Sequence, residues 1–256
     1  MTDELVGVQH RGGIRTLTLD SPHNRNALSA LLLDQLAAAL RDATGDADVR
    51  GIVLTGAGSV FCSGADLAER GSAAPNRMPE VLTQMVESPV PVIVRVNGHA
   101  RAGGIGLIAA GDMAVAPEAA SFAFAEVRIG VAPAMILVPA LRVMDRRFVA
   151  RMTLTGERFE ARAAAAAGLL SDVVSDEAAL DAWVEAETEA LRRAAPGALR
   201  ATKDLLRTLP ARPWAEGLAA AADVSAALFA GPEAAEGMAA FLEKRAPSWD
   251  TSGGPA

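Results

Sequence analysis

The segment Val90 to Val96, punctuated by Pro89 and Pro91 and closed by Asn97-Gly98, is a nearly continuous apolar run. A run of this kind belongs to a strand covered on both faces. Such strands are parallel and need crossover connections rather than tight hairpins. The flanking sequence supplies them. Ile14, Leu17 and Leu19 suit a half-buried strand ending at the Ser21-Pro22 turn. From Ser29, a candidate N-cap, Leu32, Leu36, Ala39, Leu40 and Ala43 recur at helical spacing until Gly45, and Gly51 to Thr55 is apolar again. The order strand, helix, strand predicts an α/β architecture. It repeats with a helix near Arg77 to Glu87 before the Val90 run, helix-compatible residues at Gly103 to Ala110, and strand character at Asp112 to Ala116.

The second half changes character. Ala161 to Ala167, Glu177 to Arg193, Ala198 to Leu209, Ala215 to Phe229 and Pro232 to Lys244 are Ala- and Leu-rich helical windows, with few strand signals among them. The expected division is a core over residues 1–195 and a helical region over 196–256, with a frayed tail from Thr251.

With 256 residues, 51% of them hydrophobic, the chain can bury a substantial core. A net charge of −7 argues against nucleic acid or an anionic membrane as the main partner, since both need a basic footprint. Any anionic ligand must therefore meet a local pocket lined by cations or N–H groups. The N-terminus carries two acids and no apolar run, and no stretch approaches the length of a membrane span, so a cytoplasmic protein is expected. One cysteine, Cys62, excludes an internal disulfide and reads as a small buried hydrophobe.

Two glycine-containing turns are candidates for chemistry: Phe61 to Leu67, and Asn97 to Gly106, which contains Gly103-Gly104. Each follows an apolar strand and leads toward a helix. A residue at such a junction presents a free N–H where the helix dipole favours negative charge. The plain alternative is that the glycines merely permit tight turns. Neither segment matches a dinucleotide or phosphate-binding fingerprint, and no G-x-S-x-G elbow occurs. No His/Asp/Glu set has metal-ligand spacing, so no metal is expected.

Asn24-Arg25-Asn26-Ala27-Leu28, the Phe61 to Leu67 turn, Pro91 to Gly98 with Gly103-Gly104, Asp112, and Glu126 followed by Ile129-Gly130 occur in an order and spacing that resemble the enoyl-CoA hydratase/isomerase (crotonase) superfamily. Leu154 to Phe159, with Ala161 and Gly168-Leu169 after it, extends the likeness. The resemblance implies a spiral of ββα units and a C-terminal helical trimerisation region, assembled as a homotrimer or a dimer of trimers. It implies an acyl-CoA thioester as substrate and no cofactor beyond the coenzyme A of that substrate.

Carried over by position, the N–H groups of Ala65 and Gly103 would hold the thioester oxygen as it becomes an enolate. Preorganised donors of that kind are worth about 3 to 4 kcal/mol each. Glu126 would be the catalytic acid/base, its apolar neighbours raising its pKa. Arg25, Ala27, Leu28, Ser63, Asp66, Leu67, Gly104 and Gly106 would join Ala65 and Gly103 in binding the coenzyme A and acyl parts. His99, Arg101 and Arg128 are candidates to meet an acyl carboxylate or phosphate, with capping or surface roles as the alternative. The segment Arg70 to Pro79 and the helices after Pro133 would shape the pocket.

The departure is at Gly106. Two-acid hydratases of this superfamily place a first glutamate three residues after the oxyanion glycine, where this chain has glycine. The expected activity is hydration of a 2-enoyl-CoA by one glutamate. The alternatives are Δ3-Δ2 enoyl-CoA isomerisation, or acyl-CoA binding without chemistry.

Overall fold

The computed structural model of the protein describes residues 4–69 and 76–252. Strands β1 (Val6–Arg11) and β2 (Ile14–Leu19) pair antiparallel across Gly12-Gly13, whose φ angles of 53° and 75° suit glycine. Helix α1 (Ala30–Gly45) starts where Ser29 Oγ accepts the Leu32 N–H, and it buries the stripe Leu32, Leu36, Ala39, Leu40 and Ala43.

Three similar units follow. They are β3 (Gly51–Gly56), β4 (Val60–Cys62) and α2 (Met78–Glu87); β5 (Val92–Arg95), β6 (His99–Arg101) and α3 (Gly103–Ala110); and β7 (Met113–Pro117), β8 (Ser121–Ala123) and α4 (Ala134–Val143). Each unit gives its first strand to one sheet and its second to another. The chain thereby winds as a spiral: a six-stranded sheet runs β1-β2-β3-β5-β7-β10, with β10 at Asp172–Val174, and a four-stranded sheet runs β4-β6-β8-β9, with β9 at Arg158–Glu160. All pairings from β2 through β10 in the larger sheet are parallel. The fully buried Ile52, Leu54, Val92, Ile93 and Val94 occupy its centre, as their unbroken apolar character requires. Between the third unit and β10 lie α5 (Arg146–Thr155) and α6 (Ala161–Ala166).

The chain closes with α7 (Glu177–Arg193), α8 (Pro196–Thr208), α9 (Trp214–Phe229) and α10 (Pro232–Glu243). One buried cation ties α8 to the spiral. Lys203 Nζ donates to Met85 O, Val90 O and Asp112 Oδ2, the last at 2.7 Å. Desolvation lowers its pKa although the Asp112 charge opposes that shift. This contact also explains why the Val90 to Val96 strand is shorter than its apolar run, since Val90 O is taken by Lys203 and Ser88 rather than by a neighbouring strand. The second half holds more strand than its composition suggests: β9 and β10 are three-residue pieces, too short to show periodicity. Of the segment Arg70 to Pro79, residues 70–75 lie outside the described residues, as do 253–256 of the tail. No helix among the described residues is long and apolar enough to cross a membrane.

Candidate active site

The first turn is fixed by a knot at Asn26. Its side chain is wholly buried; Oδ1 accepts the Ser21 N–H, and Nδ2 donates to Ala57 O and Val60 O. Arg25 O then accepts the Ser63 N–H, while Leu28 N–H donates to Gly64 O at 2.8 Å and Leu28 O accepts the Asp66 N–H. This parallel bridge uses the groups flanking Ala65, so the N–H of Ala65 points away from Leu28. That N–H has no acceptor among the described residues.

The second turn carries strain. Ala102 adopts φ 47° and ψ −118°, unfavourable for a residue with a side chain, and is held there by donating its N–H to Ala123 O at 3.0 Å. Gly103 follows as the first residue of α3, where an N–H has no intrahelical partner and the dipole favours an anion. The two turns touch. A Cβ on Gly64, whose φ is +92°, would stand 2.8 Å from Ala102 Cβ and 3.6 Å from Gly103 N. One on Gly103 would stand 2.6 Å from Leu28 Cδ1.

Both turns open on a cavity of about 640 Å³. Glu126 lines the same cavity, as the first residue of a 3-10 turn spanning Glu126–Ile129. Phe122 and Phe124 just before it are fully buried and stack on Phe159, which fixes where the turn emerges. Its Oε2 is buried and has no hydrogen-bond partner among the described residues. Desolvation raises the pKa of this carboxyl, partly offset by its own backbone N–H. A half-buried carboxylate with an unengaged oxygen is primed to exchange a proton with whatever enters.

The sequence-derived residues divide by position. Leu28, Ser63, Ala65, Asp66, Leu67, Gly103 and Glu126 line the cavity. Arg25, Ala27, Gly104 and Gly106 do not. Arg25 is exposed in a left-handed conformation, and Ala27 is buried. Gly104 lets Cys62 approach, since a Cβ there would meet Cys62 Cβ at 2.9 Å. Gly106 lies beneath Ile136 and Met78. Asp66 and Glu69 are occupied: Asp66 accepts from Asn24 Nδ2 and the Ala68 N–H, and Glu69 caps the Ala30 N–H at 2.8 Å. His99 Nδ1 accepts the Ser121 N–H, and exposed Arg128 donates to Thr155 O. Burial pushes the Cys62 thiol up to about 12, so it is no thiolate nucleophile. Among the described residues no group of three His, Cys, Asp or Glu is placed to hold a metal ion.

Met78 belongs to the segment Arg70 to Pro79 and Met135 and Ile136 to the helix after Pro133, the two stretches expected to shape the pocket, and all three side chains line it. A glycine in the middle of a helix, as at Gly106, signals the close approach of another element.

A two-sheet spiral of ββα units followed by helices is the crotonase fold. The chain belongs to the enoyl-CoA hydratase/isomerase family, whose profile matches residues 9–252. It is 33% identical to the 2,3-dehydroadipyl-CoA hydratase of Escherichia coli K12 over 97% of this chain and 99% of that protein. It is 32% identical to the mitochondrial enoyl-CoA hydratase domain-containing protein 3 of Danio rerio, over 98% of this chain and 89% of that one. Among solved structures, an enoyl-CoA hydratase of Mycobacterium smegmatis superposes with a TM-score of 0.90 at 33% identity, covering 96% of this chain and 99% of that chain.

Proposed function

We propose that the protein hydrates a 2-enoyl-CoA thioester, and dehydrates the product in reverse, with Glu126 as its sole acid/base. The observation that carries this reading is that Glu126 Oε2 and the N–H groups of Ala65 and Gly103, all on residues lining one cavity, have no partner among the described residues. The hydratase names of the relatives support it.

In the forward direction the Glu126 carboxylate takes a proton from water as the water oxygen bonds to C3. The C2=C3 pair moves toward C1, and negative charge collects on the thioester oxygen between the Ala65 and Gly103 N–H groups. Donors fixed before charge develops need no reorganisation, which is the source of their catalytic value. The Glu126 carboxyl then returns a proton to C2, and the thioester carbonyl is restored. Water adds syn because one carboxyl serves both carbons from one face.

Gly106 and Ile136 favour a second reading, isomerisation. With hydrocarbon in place of a second acid, Glu126 would remove a proton from C2 of a 3-enoyl-CoA and return it to C4. Large apolar side chains on α4 and on α8 to α10 are exposed, among them Trp214 at 85% and Phe241 at 83%. Further copies of this chain, as a trimer or dimer of trimers, would cover them.

Purified protein is to be incubated with crotonyl-CoA, a branched 2-enoyl-CoA and a 3-enoyl-CoA, with products read by mass spectrometry. Hydration appears as a gain of water, isomerisation as a conjugated thioester of unchanged mass. Binding of acyl-CoA with neither product, and with affinity untouched by Glu126→Gln, would leave only a non-catalytic binding role.

A further inference from the structure

The cavity is electrically one-sided. Among the described residues its charged lining consists of the acids Asp66, Glu69 and Glu126 and a single cation, Arg101. Asp66 and Glu69 are bonded to amide groups, which leave their negative charge in place. Arg101 lines the cavity with part of its donor set already engaged by the protein. Its Nη1 donates to Ala100 O and Ser121 O, and its Nη2 donates to Ser121 Oγ at 2.9 Å, neutral acceptors on β6 and β8 that fix the guanidinium and leave its charge in place.

Much of the remaining wall is hydrocarbon: Leu28, Leu33, Met78, Val131, Met135 and Ile136. Ile136 and Met78 close over Gly106, so even the position where a side chain of α3 would face the cavity is apolar. A second carboxylate carried in by a ligand would lose its water and meet, among the described residues, three acids against the one cation Arg101, whose donors are partly held by Ala100 and Ser121. Buried charge without a counter-charge is strongly disfavoured.

We infer that the acyl group taken by this cavity is uncharged and aliphatic, and that acyl chains ending in a carboxylate are rejected. This rests on the acyl-CoA reading above. The wall, through its hydrocarbon and its surplus of acids, sets the specificity.

The test uses hexanoyl-CoA and adipoyl-CoA, equal in carbon number and different in the terminal carboxylate. Neither carries a double bond, so calorimetric titration reads binding apart from turnover. Hexanoyl-CoA is expected to bind about 50-fold more tightly to the wild-type protein. Met135→Lys, at a cavity residue 39% exposed and therefore tolerant of a charge, is expected to narrow that gap about tenfold by strengthening adipoyl-CoA binding. Equal affinities, or tighter adipoyl-CoA binding, overturn the inference and leave the acyl-CoA reading standing. An unchanged gap in a folded Met135→Lys protein also overturns it, because wall charge would not be the cause. Failure of both thioesters to bind would remove the acyl-CoA reading and this inference with it.

Discussion

Ile136 Cγ2 stands 2.6 Å from the point that a Cβ on Gly106 would occupy, with Met78 Cε 3.2 Å from the same point. The space that a side chain on this face of α3 would need is filled by residues of α4 and α2. Glycine at 106 is therefore more than a missing acid. It is one half of a packing arrangement whose other half is Ile136, and together they leave Glu126 as the carboxyl at this wall with an oxygen unengaged.

Gly106→Ala should destabilise the protein even though alanine is the better helix former by about 1 kcal/mol. The added methyl enters filled space, at a cost of about 1 to 3 kcal/mol. Ile136→Ala alone should cost about 2 to 5 kcal/mol through its cavity. The double variant should cost at least about 1 kcal/mol less than the sum. Urea denaturation checks this; a Gly106→Ala protein as stable as wild type would show that Ile136 does not press on this position.

Burial holds the Glu126 carboxyl above its ordinary value of 4.5. A raised carboxyl binds its proton more tightly in the folded chain, so its stabilising contribution is complete below the unfolded value and is lost as pH rises through the folded one. The base form is then the strained form at neutral pH. The acid limb of kcat/KM should have its midpoint above 4.5, and Glu126→Gln should lower turnover about 10²- to 10⁴-fold. The same variant should be more stable than wild type at neutral pH, with the advantage shrinking as pH falls through the limb. A thermal shift independent of pH would contradict the assignment.

Gly64→Ala should separate the two donor turns. Its φ of +92° and a contact of 2.8 Å with Ala102 Cβ both oppose a side chain. A displacement of about 1 Å at Ala65 or Gly103 is enough to lower kcat/KM about 100-fold. Gly58→Ala is the control: its φ of +76° is also strained, but it lies outside this cavity. It should lose stability with kcat/KM within about twofold of wild type. Equal losses of activity in both variants would mean that general destabilisation, not the donor pair, is responsible.

Lys203→Met should cost about 2 to 3 kcal/mol, toward the lower end for a broken buried pair because water reaches part of Asp112. Its side chain is 30% exposed, against 7% for Lys203. Adding Asp112→Asn should recover part of the loss by removing the unpaired charge. Chemical denaturation of the set decides it: a double variant worse than the single one would exclude the ion pair as the cause.

Much of the scaffold could be read along the chain. The stripe from Leu32 to Ala43 and the apolar runs at Gly51 to Thr55 and Val90 to Val96 carry their own periodicity, and α1, β3 and β5 formed there. Both turns and Glu126 were found through motif order, and they open on one cavity. Of the four motif residues that do not line the cavity, Arg25 takes a left-handed backbone, Ala27 is buried next to Asn26, and Gly104 and Gly106 admit Cys62 and Ile136. A motif names residues that a fold needs together; it does not say which of them face the ligand.

By itself the sequence determined the strand and helix segments, because dihedral preference and side-chain period act over a few neighbouring residues, and its motif order pointed to the fold family and to Glu126 as the candidate carboxyl. The tertiary structure alone decided that Gly64 lies against Gly103, that Ile136 covers Gly106, that Arg101 hydrogen-bonds Ser121 and that Lys203 reaches Asp112. Those contacts join residues on different turns of the spiral, or the spiral to α8. Their distances are set by how the layers pack, a quantity that no local stretch of chain contains.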